Sequence, residues 1–240
     1  LLEHYKSMGL STGLVTTAYM THATPSAFGA HEPHRNNNSQ IANDFLNDSR
    51  PNVLLGGGGN GLSTSATQSA GYTTVTNASQ MLAVNTNTTT YLSGQFGTTH
   101  MPYELDGLGS LPHLSQMTTT ALDILDNDPD GFFLMVEGAK IDLAAHNNWI
   151  DRNVQETIEF SNSVQAVMDW AAGRQDTLII VTADHETGGM AIQSDNGPGN
   201  YPTVTWSTDY HTGVDVPVYA WGNGANRIPA NMDNTDYYDL

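Results

Sequence analysis

A chain of 240 residues with 25 acidic and seven basic side chains carries a formal net charge of −18, which argues against nucleic acid or an anionic membrane as a partner. It has no cysteine, so disulfides and thiolate metal sites are excluded and any metal must be held by His, Asp and Glu. No apolar run approaches the ~18–20 residues that span a bilayer, and the length suits a single domain covering 1–240.

The chain opens on Leu1 with no initiator Met and no charged-then-apolar leader, and reads as a processed product or a fragment. Residues 10–16 (LSTGLVT) predict a short buried strand. The stretch 20–35 (MTHATPSAFGAHEPHR) follows, with Thr24-Pro25 reading as a turn or helix start. Its Arg35 is one of few cations in an acidic chain. A guanidinium can grip a phosphate through two parallel hydrogen bonds, or it can form a structural salt bridge, and the sequence leaves both open. His31 and His34 are candidates to support Arg35, while His100 and His113 read as surface or hydrogen-bonding residues.

Residues 40–45 predict a helix and 51–55 (PNVLL) a second strand. GGGGNG at 56–61 satisfies a dinucleotide-binding spacing, yet no acidic residue lies between Asp48 and Glu104 to hold a ribose, so it reads as a tight turn. Gly, Ser, Thr, Asn and Gln dominate 56–100, which reads as a polar surface insertion on the same domain. Helices are predicted over 114–125 and 151–172, the latter ended by Gly173.

Between those helices, 132–146 (FFLMVEGAKIDLAAH) ends an apolar run at Glu137 and spaces Asp142 and His146 one helical turn apart. Each alone is an ordinary helix-start carboxylate or solvated pair. Together, fed by the apolar run, they have the spacing of metal ligands. TLIIVTADHETGG (177–189) places Asp184 and His185 after another apolar run, and YHTG (210–213) offers His211, ambiguous by itself. Oxygen and nitrogen ligands on three separate connections suit a hydrolytic two-metal centre. Strand and helix alternate, so the predicted fold is α/β: three layers, α/β/α, around a mainly parallel sheet.

In order and spacing, the VEGAKID…H, VTADHETGG and YHTG blocks, with THATPSAF…HR upstream, resemble the alkaline phosphatase family over nearly the whole chain. The His at position 22 is similar to the family's marine bacterial forms. The resemblance implies two Zn²⁺ and one Mg²⁺. Asp142, His146 and His211 match the ligands of the first zinc and Asp184 and His185 those of the second. Thr24 and Glu137 match magnesium ligands, His22 a position beside them, and Arg35 the group that grips substrate phosphate. Leu143 departs from the Lys, His or Trp often found after that Asp.

The implied activity is hydrolysis of phosphate monoesters through a phosphoseryl intermediate. The family's Gly-Asp-Gly turn and its nucleophilic Ser have no counterpart here, so the expected fold lacks the N-terminal strand and nucleophile segment, and these 240 residues alone are expected to be nearly inactive. The alternatives are a relative acting on diesters or sulfates, and a secreted, non-enzymatic metal- or phosphate-binding or assembly-forming protein. The implied partners are a phosphate monoester or inorganic phosphate and further copies of the chain, as a homodimer or assembly. The implied location is periplasmic or extracellular.

Overall fold

The computed structural model describes residues 1–239, in two compact units. The first unit holds Leu1–Lys140 and Gln155–Val167, and the second holds Ile141–Val154 and the chain from Met168 onward. Among the described residues no helix is long and apolar enough to cross a membrane.

The first unit runs α1 (Leu2–Ser7), β1 (Ser11–Tyr19), α2 (Ala23–Gly29), α3 (Asn38–Asn47), β2 (Val53–Gly57), α4 (Thr64–Ser69), β3 (Thr73–Val75), α5 (Ala78–Leu82) and β4 (Leu92–Gln95). A 3₁₀ turn at Glu104–Asp106, α6 (Leu114–Leu125) and β5 (Phe132–Glu137) complete its first stretch. The five strands pair in parallel in the order β3-β4-β2-β1-β5. Successive side chains leave a strand on opposite faces, and both faces here are covered. Val15, Val53, Leu55 and Val136 pack with Met117, Ala121 and Leu125 of α6. Leu14, Leu54 and Met135 pack with Leu2 of α1 and Ile41 and Phe45 of α3. Helices on both faces of a parallel sheet are the predicted architecture. Gly13 fixes how closely α6 lies on β1: a Cβ there would sit 2.8 Å from Leu125 Cδ1.

Two details depart from the sequence reading. Residues 56–100 are not a surface insertion, because β3 and β4 are strands of the sheet and Leu92 and Phe96 are fully buried. The polar composition of this stretch misleads because close packing demands small residues. A Cβ on Gly94 would lie 2.4 Å from the Phe96 ring. The glycine run after β2 is the tight turn predicted, with Gly59, Asn60 and Gly61 all at positive φ and a bridge from Gly59 to Leu62.

The chain continues through α7 (Lys140–Ala145), α8 (Ile150–Trp170), β6 (Leu178–Val181), β7 (Glu186–Thr187), β8 (Ala191–Ser194), β9 (Thr203–Thr205), β10 (His211–Thr212) and β11 (Tyr219–Gly222). The second departure lies here. The apolar run before Asp184 forms β6, which pairs antiparallel with β11, Ile180 opposite Ala220, instead of extending a parallel ladder. β7 pairs antiparallel with β10, and β8 with β9.

The first unit also buries carboxylates. Glu156 of α8 is 3 % exposed and accepts a hydrogen bond from the Glu104 amide at 2.8 Å. Burial above all, with the charges of Glu104 and Glu159 adding to it, pushes its pKa up to about 7. An unfolded Glu titrates near ~4.3, so the folded state holds this proton longer than the unfolded chain, and stability falls as pH rises from there to about 7. Glu156→Gln still accepts from the Glu104 amide and carries no charge. It is expected to raise the Tm at pH 8 by a few degrees and to leave it unchanged at pH 4, and equal shifts at both pH values in thermal unfolding would contradict this.

Candidate metal centre

In the second unit the site is built from α7, the β6–β7 connection and β10. The His146 amide bonds to the Asp142 carbonyl at 2.9 Å, the one-turn spacing that puts both side chains on one face. His211 arrives by strand pairing, directly opposite Thr187 of β7. Glu186 braces that corner: its carboxylate accepts from the Gly189 amide at 2.9 and 3.1 Å and from the Thr212 hydroxyl. Gly189 is at φ +55°, and a Cβ there would lie 1.9 Å from Ser207 Oγ, which is why the turn is spelled with glycine.

His146 Nε2 lies 3.1 Å from His211 Nε2 and 3.3 Å from Asp142 Oδ1, and His211 Nε2 lies 3.6 Å from Asp142 Oδ1. Ligands at the usual 2.0–2.1 Å from a tetrahedral zinc stand about 3.3 Å apart, so this triangle has the size of one face of such a site. The donor set fits as well. His146 Nδ1 lies 2.6 Å from the Asp209 carbonyl, so Nδ1 carries the proton and Nε2 presents its lone pair to the triangle. Asp142 Oδ1 accepts from the Thr187 hydroxyl at 2.5 Å. A cation held by these three side chains would keep a fourth position open, as in hydrolytic centres, and Asp142, His146 and His211 are all partly open to solvent.

Asp184 and His185 form a second pair beside this one. Their Oδ2 and Nε2 atoms are 3.2 Å apart, and the His185 ring stacks on His211 with centroids 3.5 Å apart. Thr187 Oγ1 lies 3.2 Å from His185 Nδ1, so one hydroxyl touches both groups. Thr187→Val keeps the side-chain shape and removes that donor. It is expected to weaken zinc binding about 10–100-fold, measured by competition with a chromogenic chelator, and an unchanged affinity would contradict the role given to the hydroxyl.

The remaining predicted residues belong to the first unit. Glu137 ends β5 opposite Thr16 of β1, whose hydroxyl donates to Glu137 Oε2 at 2.6 Å. His22 caps the N-terminus of α2 and Thr24 is in its first turn. Arg35 Nη2 is 3.2 Å from His22 Nε2, and among the described residues no carboxylate pairs with Arg35, so the salt-bridge reading is not what the structure shows. Nor do His31 and His34 support Arg35. His31 Nε2 pairs with Glu3 at 2.7 Å, and His34 Nδ1 accepts from the Asn36 amide.

The sequence reading missed His100, which lies edge-on to His22 with centroids 5.2 Å apart and 4.8 Å from Tyr19. Burial, and then the charge of Lys140, lower its pKa. It also missed Thr187 and the Asp209 carbonyl. Thr187 sits inside the HETGG run and could have been found there, whereas a backbone carbonyl leaves no mark in a sequence.

The family model for alkaline phosphatase matches residues 1–204. Alkaline phosphatase 3 of Bacillus subtilis is 38% identical over 317 aligned positions, covering 98% of this chain and 68% of its own length. The chain thus spans about two thirds of that relative. A cold-active alkaline phosphatase from a psychrophilic Shewanella superposes with a TM-score of 0.90 at 29% identity, covering 99% of this chain and 76% of the other. A variant of the TAB5 alkaline phosphatase, solved with magnesium in its M3 site, gives 0.80 at 28% identity over 94% of this chain and 69% of that one. Fold, ligand triangle and similarity across nearly the whole length agree: the chain belongs to the alkaline phosphatase family.

Proposed function

We propose that this protein hydrolyses phosphate monoesters, with Asp142, His146 and His211 holding one zinc and Asp184 and His185 a second. Thr24 and Glu137 supply hard oxygens suited to a magnesium ion, with His22 beside them. Arg35 binds the phosphate through its paired N–H groups. The observation that carries this reading is the triangle of ligand atoms 3.1 to 3.6 Å apart, oriented by the Asp209 carbonyl and the Thr187 hydroxyl.

Cations held there supply Lewis-acid polarisation of phosphoryl oxygens and a strong nucleophile near neutral pH. The protein's part is to hold its ligands ready. His146 donates its Nδ1 proton to the Asp209 carbonyl, Asp142 accepts from the Thr187 hydroxyl, and Arg35 neutralises charge on the transferring group. Residues 1–240 form a single domain, a reading supported by the one family model that matches 1–204. The strongly acidic composition suits a periplasmic or secreted location, and further copies of the chain, as a homodimer or assembly, are the proposed protein partners.

The test is hydrolysis of a chromogenic phosphomonoester by the full-length protein at alkaline pH. Chelation is expected to abolish turnover and zinc with magnesium to restore it. A diester or sulfate ester cleaved faster than the monoester would overturn the proposal.

A further inference from the structure

The first unit contains a second group of metal-ligating side chains, drawn from three elements that the chemistry above does not use. Glu104 comes from the 3₁₀ turn, His113 from the residue that caps α6, and Glu159 from the middle of α8. Each offers a ligand atom within 4.8 Å of the other two. His113 Nδ1 lies 2.8 Å from Glu104 Oε2.

Glu159 is only 8 % exposed, and its oxygens accept from the Ser115 amide at 2.7 Å and Asn162 Nδ2 at 3.0 Å. Those bonds orient the carboxylate without neutralising it. A carboxylate buried beside another needs a positive partner, because isolated burial of charge costs several kcal/mol. Yet among the described residues no Lys or Arg pairs with Glu104 or Glu159, and Glu156 adds a third carboxylate against the Glu104 amide. The charge of Lys140 reaches Glu156 and the half-exposed imidazole of His113 meets Glu104, but among the described residues neither forms an ion pair with Glu159.

We propose that Glu104, His113 and Glu159 bind a divalent cation of the zinc class, separate from the ions of the catalytic centre. Two carboxylates and an imidazole are a common set for such ions, and three protein ligands leave a position open to water. The ion ties α6 and α8 to the turn at Glu104–Asp106. Its role is to stabilise the fold, and it leaves the hydrolytic step to the other residues.

The test uses the full-length protein loaded with Zn²⁺ and counts bound metal by mass spectrometry after gel filtration. His113→Asn keeps a good helix cap while withdrawing the imidazole, and Glu159→Gln keeps an acceptor for the Ser115 amide. Each variant is expected to bind one equivalent less zinc than wild type, with phosphomonoester turnover unchanged. Unchanged stoichiometry in a folded variant overturns the proposal.

If a variant fails to fold, the wild-type His113 imidazole is followed by NMR during zinc addition. A zinc-dependent shift, with loss of titration between pH 5 and 8, supports the site. An imidazole that titrates as before, as a plain His113–Glu104 ion pair would, overturns it.

Discussion

His211→Ala in the full-length protein is expected to lower phosphomonoester turnover by at least about 10²-fold and to release one zinc per chain. The side chain is one of the three proposed ligands, 3.1 Å from His146 Nε2 and 3.6 Å from Asp142 Oδ1, and its ring is the surface on which His185 stacks. Losing a ligand outright should exceed the roughly 10–100-fold that loss of a supporting hydrogen bond costs. Folding does not explain such a loss, because the side chain is nearly half exposed, and truncating an exposed group changes stability by about 0.5 kcal/mol. Zinc content, turnover and Tm measured on one preparation separate the two effects. A drop in Tm that matched the drop in activity would contradict the ligand role.

Arg35→Lys is the second large effect, expected to cut kcat/KM about 10²–10³-fold, the scale of removing a donor aimed at developing charge. Lys preserves the charge but replaces a planar fork with a single ammonium, so what is lost is the two-bond grip. The guanidinium meets His22 Nε2 and, among the described residues, no carboxylate, which leaves its charge available to an anion. The loss should appear in the affinity for inorganic phosphate as well as in kcat/KM. A Lys variant retaining more than a third of wild-type kcat/KM would contradict the assignment.

The candidate metal ligands stood out in the sequence because metal chemistry restricts the residue types that can serve. Asp142 and His146 at one-turn spacing, and Asp184-His185 after an apolar run, could be picked out before any fold was known. What could not be read was how His211 arrives, since the β7–β10 pairing that sets it opposite Thr187 spans the intervening β8–β9 ladder. The Asp209 carbonyl was invisible because every residue has one.

The sheet was legible where strands are apolar, in β1, β2 and β5, and not in β4. LSGQ is buried throughout, but its small residues answer to neighbours such as Phe96 and give no hydrophobic pattern. His31 was misjudged for a related reason. Proximity to Arg35 in sequence suggested support, whereas folding brought it to Glu3 on α1, and that carboxylate raises its pKa.

The central claim, that Asp142, His146 and His211 form the ligand triangle of a bound cation, is tested most directly by zinc-edge X-ray absorption on the loaded full-length protein and on His211→Ala. The wild type should show nitrogen and oxygen neighbours at about 2.0–2.1 Å with imidazole backscattering, and the variant, having released that zinc, should lose its share of the zinc and imidazole signal. Identical spectra from the two proteins, at equal zinc content, would contradict it.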